Sequence, residues 1–157
     1  MQITLLTIGK TDNKNLIQLI DDYSHRLEHY IKFQFDMIPD LKKVKHLSEA
    51  QQREKEGQLI LDKTSTSDVL ILLDENGKQL DSVAFANYLQ KHMNSGIKNL
   101  IFVIGGPYGF SDAVYQRANG KLSLSKMTFS HQMVRLFFIE QLYRGFTILK
   151  NEPYHHR

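Results

Sequence analysis

Val69-Leu70-Ile71-Leu72-Leu73, closed by Asp74, and Leu100-Ile101-Phe102-Val103-Ile104, closed by Gly105 and Gly106, are apolar without alternation. A strand with one wet face alternates polar and apolar residues, whereas a strand covered on both faces does not. The two runs therefore read as interior strands of a parallel sheet. Working outward, Ile3 to Ile8 and Phe33 to Ile38 are runs of similar kind that end at Gly9 and Pro39, which is strand punctuation. Between the runs lie helical periods. Leu16, Ile20, Tyr23, Leu27 and Tyr30 step by four, three, four and three, placing one apolar stripe on a helix from about Asn13 to Ile31. A charged helix is predicted over Ser48 to Lys63 with Ser48 as its N-cap, and another over Ser82 to Met93 opened by Asp or Ser. The order β-α-β-α-β-α-β predicts an α/β fold, a mainly parallel sheet flanked by helices.

The last segment, His131 to Lys150, is apolar on far more than one stripe, with Met133, Val134, Leu136, Phe137, Phe138, Ile139, Leu142, Tyr143, Phe146, Ile148 and Leu149. A helix of this kind needs cover on two sides. It is either a deeply buried core helix or the interface of a homodimer.

The chain has 157 residues, 41 % hydrophobic and 24 % charged, which suits one domain over residues 1–157 and leaves no room for a separate recognition module. No apolar run approaches the roughly 18 residues that span a bilayer. The start MQITLLTIGK lacks a basic region and a small-residue cleavage site, so no secretory signal is read and the expected location is cytoplasmic, without membrane contact. With no cysteine there is no disulfide framework, thiolate zinc site or cysteine nucleophile. His25 and His29 have the spacing of a metal pair but stand off the apolar stripe with no third ligand nearby, and no metal is expected. Asp21, Asp22 and Glu54-Lys55-Glu56 read as solvated helix faces.

In open parallel sheets ligands bind at the carboxyl ends of strands. The first such loop, Gly9-Lys10-Thr11-Asp12, has one glycine, and neither a dinucleotide fingerprint nor a P-loop occurs anywhere. The glycines gather instead in Gly105-Gly106-Pro107-Tyr108-Gly109, where missing side chains admit close backbone approach of a ligand or simply make a tight turn. Two further loops fall on the same edge: Asp74 to Lys78, and Leu122 to Phe129, the latter too polar for a buried strand and too apolar for a free loop. Ser130 is the expected N-cap of the final helix. The tail Asn151-Glu152-Pro153-Tyr154-His155-His156-Arg157 places a phenol, two imidazoles and a guanidinium after a proline, a set able to stack a base, bind phosphate and move a proton.

Three separated motifs, IGGPYGFS, LSLSKMTFSHQMVRLFFIEQLYRGF and NEPYHHR, together with ITLLTIGK and REKEGQLIL, resemble the bacterial ribosomal large-subunit pseudouridine-N3 methyltransferases of the RlmH type across essentially the whole chain. That family belongs to the SPOUT class. The resemblance implies a deep trefoil knot near the C-terminus, which general topology rules would not predict, and a homodimer. It implies S-adenosyl-L-methionine as cofactor, with Leu73, Gly105, Leu124, Ser125, Lys126, Met127, Thr128 and Phe129 at the positions that hold it. It implies methylation of N3 of a pseudouridine in large-subunit (23S) rRNA within the assembled ribosome. Ser130 and Phe110 depart from the family's common proline and leucine, which bears on loop shape.

For this reaction the residues expected to act are Tyr154 and His155 on the base and its proton, with Arg144, and His131 as a further candidate, orienting the nucleotide. Arg144 also stands one turn after Glu140, so an i, i+4 ion pair is its alternative role. From Lys121 to Arg157 six lysines and arginines face two acidic residues, a local basic excess expected to serve RNA. Methylation of tRNA or another RNA, and a non-enzymatic RNA-binding or assembly module, remain as alternative functions.

Overall fold

The computed structural model describes residues 1–156. Its elements are β1 (Gln2–Ile8), α1 (Lys14–Glu28), β2 (Lys32–Ile38), a 3-10 turn (Val44–His46), α2 (Glu49–Asp62), β3 (Val69–Gln79), α3 (Ser82–Asn94), β4 (Asn99–Ile104), α4 (Asp112–Arg117), β5 (Gly120–Ser123) and α5 (Met133–Leu149). The strands form one parallel sheet in the order β2-β1-β4-β3-β5. The two unalternating runs are adjacent central strands, with Val69 opposite Leu100 and Leu73 opposite Ile104. One face of the sheet packs through Leu5, Ile71, Leu100 and Phe102 against Leu16, Ile20 and Leu27 of α1, Leu89 of α3 and Phe138, Leu142 and Phe146 of α5. The other packs through Leu70, Leu72 and Val103 against Ile60 of α2 and Val114 of α4. Burial on both faces is the reason these strands show no alternation.

The helix starts follow their caps. Asn13 accepts from the Asn15 and Leu16 amides, Ser48 and Gln51 form a reciprocal capping box, and Asp81 accepts from Ala84. Ser130 Oγ accepts from the Met133 amide at 3.1 Å, although regular helix begins at Met133, two residues beyond the expected His131.

Three readings need correction. Asp74 to Lys78 is not a free loop: β3 bulges after Leu73 and rejoins the ladder, so that Leu122 pairs with both Leu73 and Lys78. Leu122 and Ser123 are strand, not loop, and both are buried. They tolerate a polar sequence because β5 is short and lies at the sheet edge. The short helix α4, capped by Ser111, was not anticipated, since six residues are too few to show a period.

Where β3 rejoins the ladder the chain crosses itself closely. A Cβ on Gly77 would lie 2.5 to 2.8 Å from the backbone C, N and Cα of Leu122. Only glycine permits that approach.

Candidate functional site

A cavity of about 480 Å³ opens at the carboxyl ends of β3, β4 and β5, in the size range of small-molecule sites. Its wall is made by Leu73, Asp74 and Glu75 from the β3 bulge, by Gly105 to Phe110 after β4, by Leu122 to Ser125 and Met127 to Phe129 around β5, and by His131 and Val134 leading into α5. Of the eight residues expected to hold a cofactor, seven line this one cavity. Lys126 does not; it is exposed outside it. The segment after β5 is shaped by its own serines: Ser123 Oγ donates to Ser125 O at 2.9 Å, and Ser125 Oγ accepts from the Met127 amide at 2.9 Å. This leaves Met127 77 % exposed over the opening.

The two glycines at the end of β4 stand on the cavity wall and also against neighbouring protein. A Cβ on Gly105 would meet the Phe110 ring at 3.1 Å, and one on Gly106 would meet Glu56 Oε2 at 2.1 Å. Glu56 is thus no part of a solvated face: it is 3 % exposed. Its Oε1 accepts from Gln52 Nε2 at 2.9 Å while Oε2 has no hydrogen-bond partner among the described residues. Its neighbour Gly57 lets α2 close on Ser111 and Val114 of the α4 turn. Gly106→Ala should cost about 1 to 3 kcal/mol by overpacking. The double variant with Glu56→Ala should recover part of that loss, giving a coupling readable by urea unfolding.

Across the cavity Tyr115 donates to Asp74, and its phenol is pushed up to about 12 by burial and by that bond. With Asp74 and Glu75 on the wall and Glu56 behind Gly106, carboxylates border the cavity, while Arg53 acts on Tyr115 and Lys121 Nζ lies 5.3 Å from its ring centroid.

The tail builds a second cluster. Glu140 Oε1 accepts from Arg144 Nη2 at 2.6 Å and from Tyr154 Oη at 2.9 Å. Arg144 lies over the Tyr154 ring, 4.8 Å from its centroid, and its Nη1 is 3.4 Å from His155 Nδ1. Tyr154 Oη is also 3.1 Å from Tyr23 Oη, its ring packs edge-on to Tyr143, and Tyr30 of the α1 end donates to Glu152. Of the two roles weighed for Arg144, the ion pair with Glu140 is present, and the same guanidinium touches the tail. Burial and bonds to Tyr23 and Glu140 push the Tyr154 phenol well above its ordinary range. It is a neutral donor, not a base. Arg157 lies outside the described residues.

The structure does not bring these tail residues to the cavity of the same chain. Val134 lines the cavity and Arg144 follows it ten residues later on one helix, about 15 Å along the axis. Of the basic residues from Lys121 onward, Lys121, Lys126 and Lys150 are exposed, while two others are not free for a partner. Arg135 is 2 % exposed, donating to Ile8 O and Thr11 Oγ1 at 2.8 Å each, and Arg144 is paired. Burial lowers the Arg135 pKa, against the pull of Asp40 and Asp12. Among the described residues no group of three metal-ligating side chains occurs, and no helix is long and apolar enough to cross a membrane. His25 and His29 are exposed on α1.

A family model described as "Predicted SPOUT methyltransferase" matches residues 1–155. The chain is 72 % identical over 157 residues to the ribosomal RNA large subunit methyltransferase H of Flavobacterium psychrophilum, covering all of both chains. It is 60 % identical over 156 residues to the protein of that name from Parabacteroides distasonis, covering 99 % of each. Among solved structures it is similar to the SpoU methyltransferase AviRb from Streptomyces viridochromogenes in complex with AdoMet, with a TM-score of 0.45 and 14 % identity over 90 % of this chain and 56 % of that one, a likeness too slight to carry an inference. The carboxyl-edge cavity, the apolar last helix and the Tyr-His tail are thus features of a protein that belongs to the SPOUT methyltransferase family, within the group named ribosomal RNA large subunit methyltransferase H.

Proposed function

We propose that the protein is a cytoplasmic homodimer that methylates N3 of a pseudouridine in large-subunit rRNA, on the assembled ribosome, using S-adenosyl-L-methionine. The observation that carries this reading is the convergence of Leu73, Gly105, Leu124, Ser125, Met127, Thr128 and Phe129 on one cavity. The cavity fits the cofactor in kind: apolar walls from Leu73, Ile104 and Leu124 suit a purine, and the bordering carboxylates suit a ligand that carries cationic groups. When bound, S-adenosyl-L-methionine supplies the electrophilic methyl group. Lys126, outside the cavity wall, would act on the substrate side if it acts at all.

The chain itself must orient the nucleotide and deal with the N3 proton, because N3 is a poor nucleophile while protonated. Arg144 and Tyr154 are hydrogen-bond donors, suited to stabilising an imide anion as N3 loses its proton. His155 brings an imidazole to the cluster, with Nδ1 3.4 Å from Arg144 Nη1; to accept the proton, a ring nitrogen must turn from Arg144 to the nucleotide. His131, on the cavity wall, lies beside the path the nucleotide takes.

Because the tail and the cavity of one chain stand apart, the working site is assembled from the cavity of one protomer and the tail of its partner. The surface available for this lies where Phe129 packs on Phe137, with centroids 5.2 Å apart, beside exposed Met133 and a second, apolar cleft of about 220 Å³. Phe137→Glu should yield a folded monomer without methyltransferase activity, seen by light scattering on a sizing column and by methyl transfer to large subunits. The knot implied by the family belongs to this same C-terminal part of the chain. Mass spectrometry of rRNA from cells lacking and regaining the protein tests the proposed product directly: an unchanged N3-methylpseudouridine signal in the deletion strain refutes it. Incubation with isolated rRNA, ribosomes and tRNA separates the substrates.

A further inference from the structure

We propose that the connection between β2 and α2, with Lys42, Lys43 and Lys45 at its tip, is a phosphate-binding surface that grips the RNA backbone beside the methyl-donor cavity; this rests on the rRNA reading above. Residues 39–48 form the longest connection in the fold, and long ordered connections at the functional edge of a sheet are where binding residues concentrate. Three lysines and His46 occupy five positions there, with no acidic residue between Asp40 and Glu49. All three lysines are exposed, and none has an ion-pair partner among the described residues.

Place and charge both favour an anion. The connection leaves the carboxyl end of β2, the same edge of the sheet on which the cavity opens. β2 is two strands from β4, about 10 Å across the sheet. The ground between is occupied by the β1–α1 loop, tied to the connection through the Gly9 amide on Ile38 O at 2.8 Å. That loop is tied to the start of α5 by Gln132 Nε2 on Lys10 O at 2.9 Å, and it adds exposed Lys10 and Lys14. The acids on this edge do not cancel the lysines. Asp40 packs its carboxylate against Gly9, and both Asp40 and Asp12 act on the buried Arg135 guanidinium. Among the described residues neither carboxylate forms an ion pair with Lys42, Lys43 or Lys45. Lys43 is also held with φ at 59°, the left-handed region that a lysine seldom enters, and such strain gathers at binding segments. A flexible ammonium recognises phosphate as a point charge and carries no base specificity. The surface therefore supplies affinity and orientation for RNA.

The test is binding of large ribosomal subunits, by co-sedimentation across a range of salt, to the wild type and to the variant Lys42→Gln, Lys43→Asn, Lys45→Gln. Asparagine is used at 43 because it tolerates the left-handed conformation. Removing three phosphate contacts should weaken binding at least about tenfold at 0.1 M salt and flatten the slope of log K against log salt by about two to three. The triple arginine variant, which keeps the charge, should restore both, and calorimetric binding of S-adenosyl-L-methionine should not change in either. Wild-type affinity and slope in the uncharged variant would overturn the proposal, as would wild-type protein that shows no salt-dependent binding. Salt-dependent wild-type binding without methyl transfer would instead overturn the catalytic reading and leave the lysine surface to be decided by the variants.

Discussion

Replacing Gly77 by alanine destabilises the fold by about 3 kcal/mol or more, the upper end for overpacking, because the added methyl meets main chain that cannot rotate away. The carbonyl carbon, nitrogen and Cα of Leu122 stand 2.5 to 2.8 Å from the position it would take. Relief requires β5 to slide or lift from β3, breaking the pairs of Lys78 with Leu122 and Gln79 with Ser123. Leu122 and Ser123 also line the cavity, so the same displacement removes cofactor binding. Chemical unfolding and calorimetry with S-adenosyl-L-methionine read the two losses. Against the roughly 5 to 15 kcal/mol that holds a domain together, the stability loss alone is large. A variant as stable as wild type would show that the β3–β5 crossing is looser than described. Gly96→Ala is the control: nothing lies within 4 Å of its added Cβ, although its positive φ brings some strain.

Deleting residues 153–157 abolishes methyl transfer while leaving folding and cofactor affinity intact. The tail contributes Tyr154 and His155 to the Glu140–Arg144 cluster but nothing to the walls of the cavity and nothing to the buried core. Full activity of the truncated protein would refute the proposed chemistry. Two point variants sort the contributions. Tyr154→Phe removes the phenol that donates to Glu140 but keeps the ring under Arg144. It should lower turnover about 10-fold or more, as loss of one preorganised donor does. His155→Ala removes the imidazole proposed to take the N3 proton, and general-base catalysis is typically worth about 10²- to 10⁴-fold. Mixing truncated protomers with protomers disabled in the cavity restores activity if the site spans two chains, and does not if each chain serves itself.

How much of this was legible in the chain depends on which physical signal a residue carries. Val69 to Leu73 and Leu100 to Ile104 announce burial on both faces by lacking any polar residue, and Asn13, Ser48 and Asp81 announce helix starts by their short polar side chains. The carboxyl edge as the place to search followed from parallel strands alone. β5 was illegible because Gly120-Lys121-Leu122-Ser123 pairs through its backbone, and a four-residue edge strand leaves no pattern. Glu56 was illegible for the opposite reason: it sits in a charged helix whose neighbours Glu54 and Lys55 are solvated, and its burial is imposed by a glycine fifty positions away. For the glycines of the β4 loop, sequence shows that a side chain is missing and not what occupies its place, so ligand approach and tight turn stay open while the contacts with Phe110 and Glu56 stay hidden. A charge count from Lys121 onward ignores burial: it includes Arg135, which is interior, beside Lys121, Lys126 and Lys150, which are exposed.

The cavity is built from stretches of chain far apart in sequence: Ile71 of β3 pairs with Gly120 of β5, so a long loop must close before its walls can meet. The cavity walls contributed by Leu122 to Phe129 exist only after that step. A ligand there binds the completed sheet and no earlier state, so by mass action it holds the protein folded without helping it to fold. In kinetic terms a cofactor bound there, as proposed, should slow unfolding and leave the folding rate where it was.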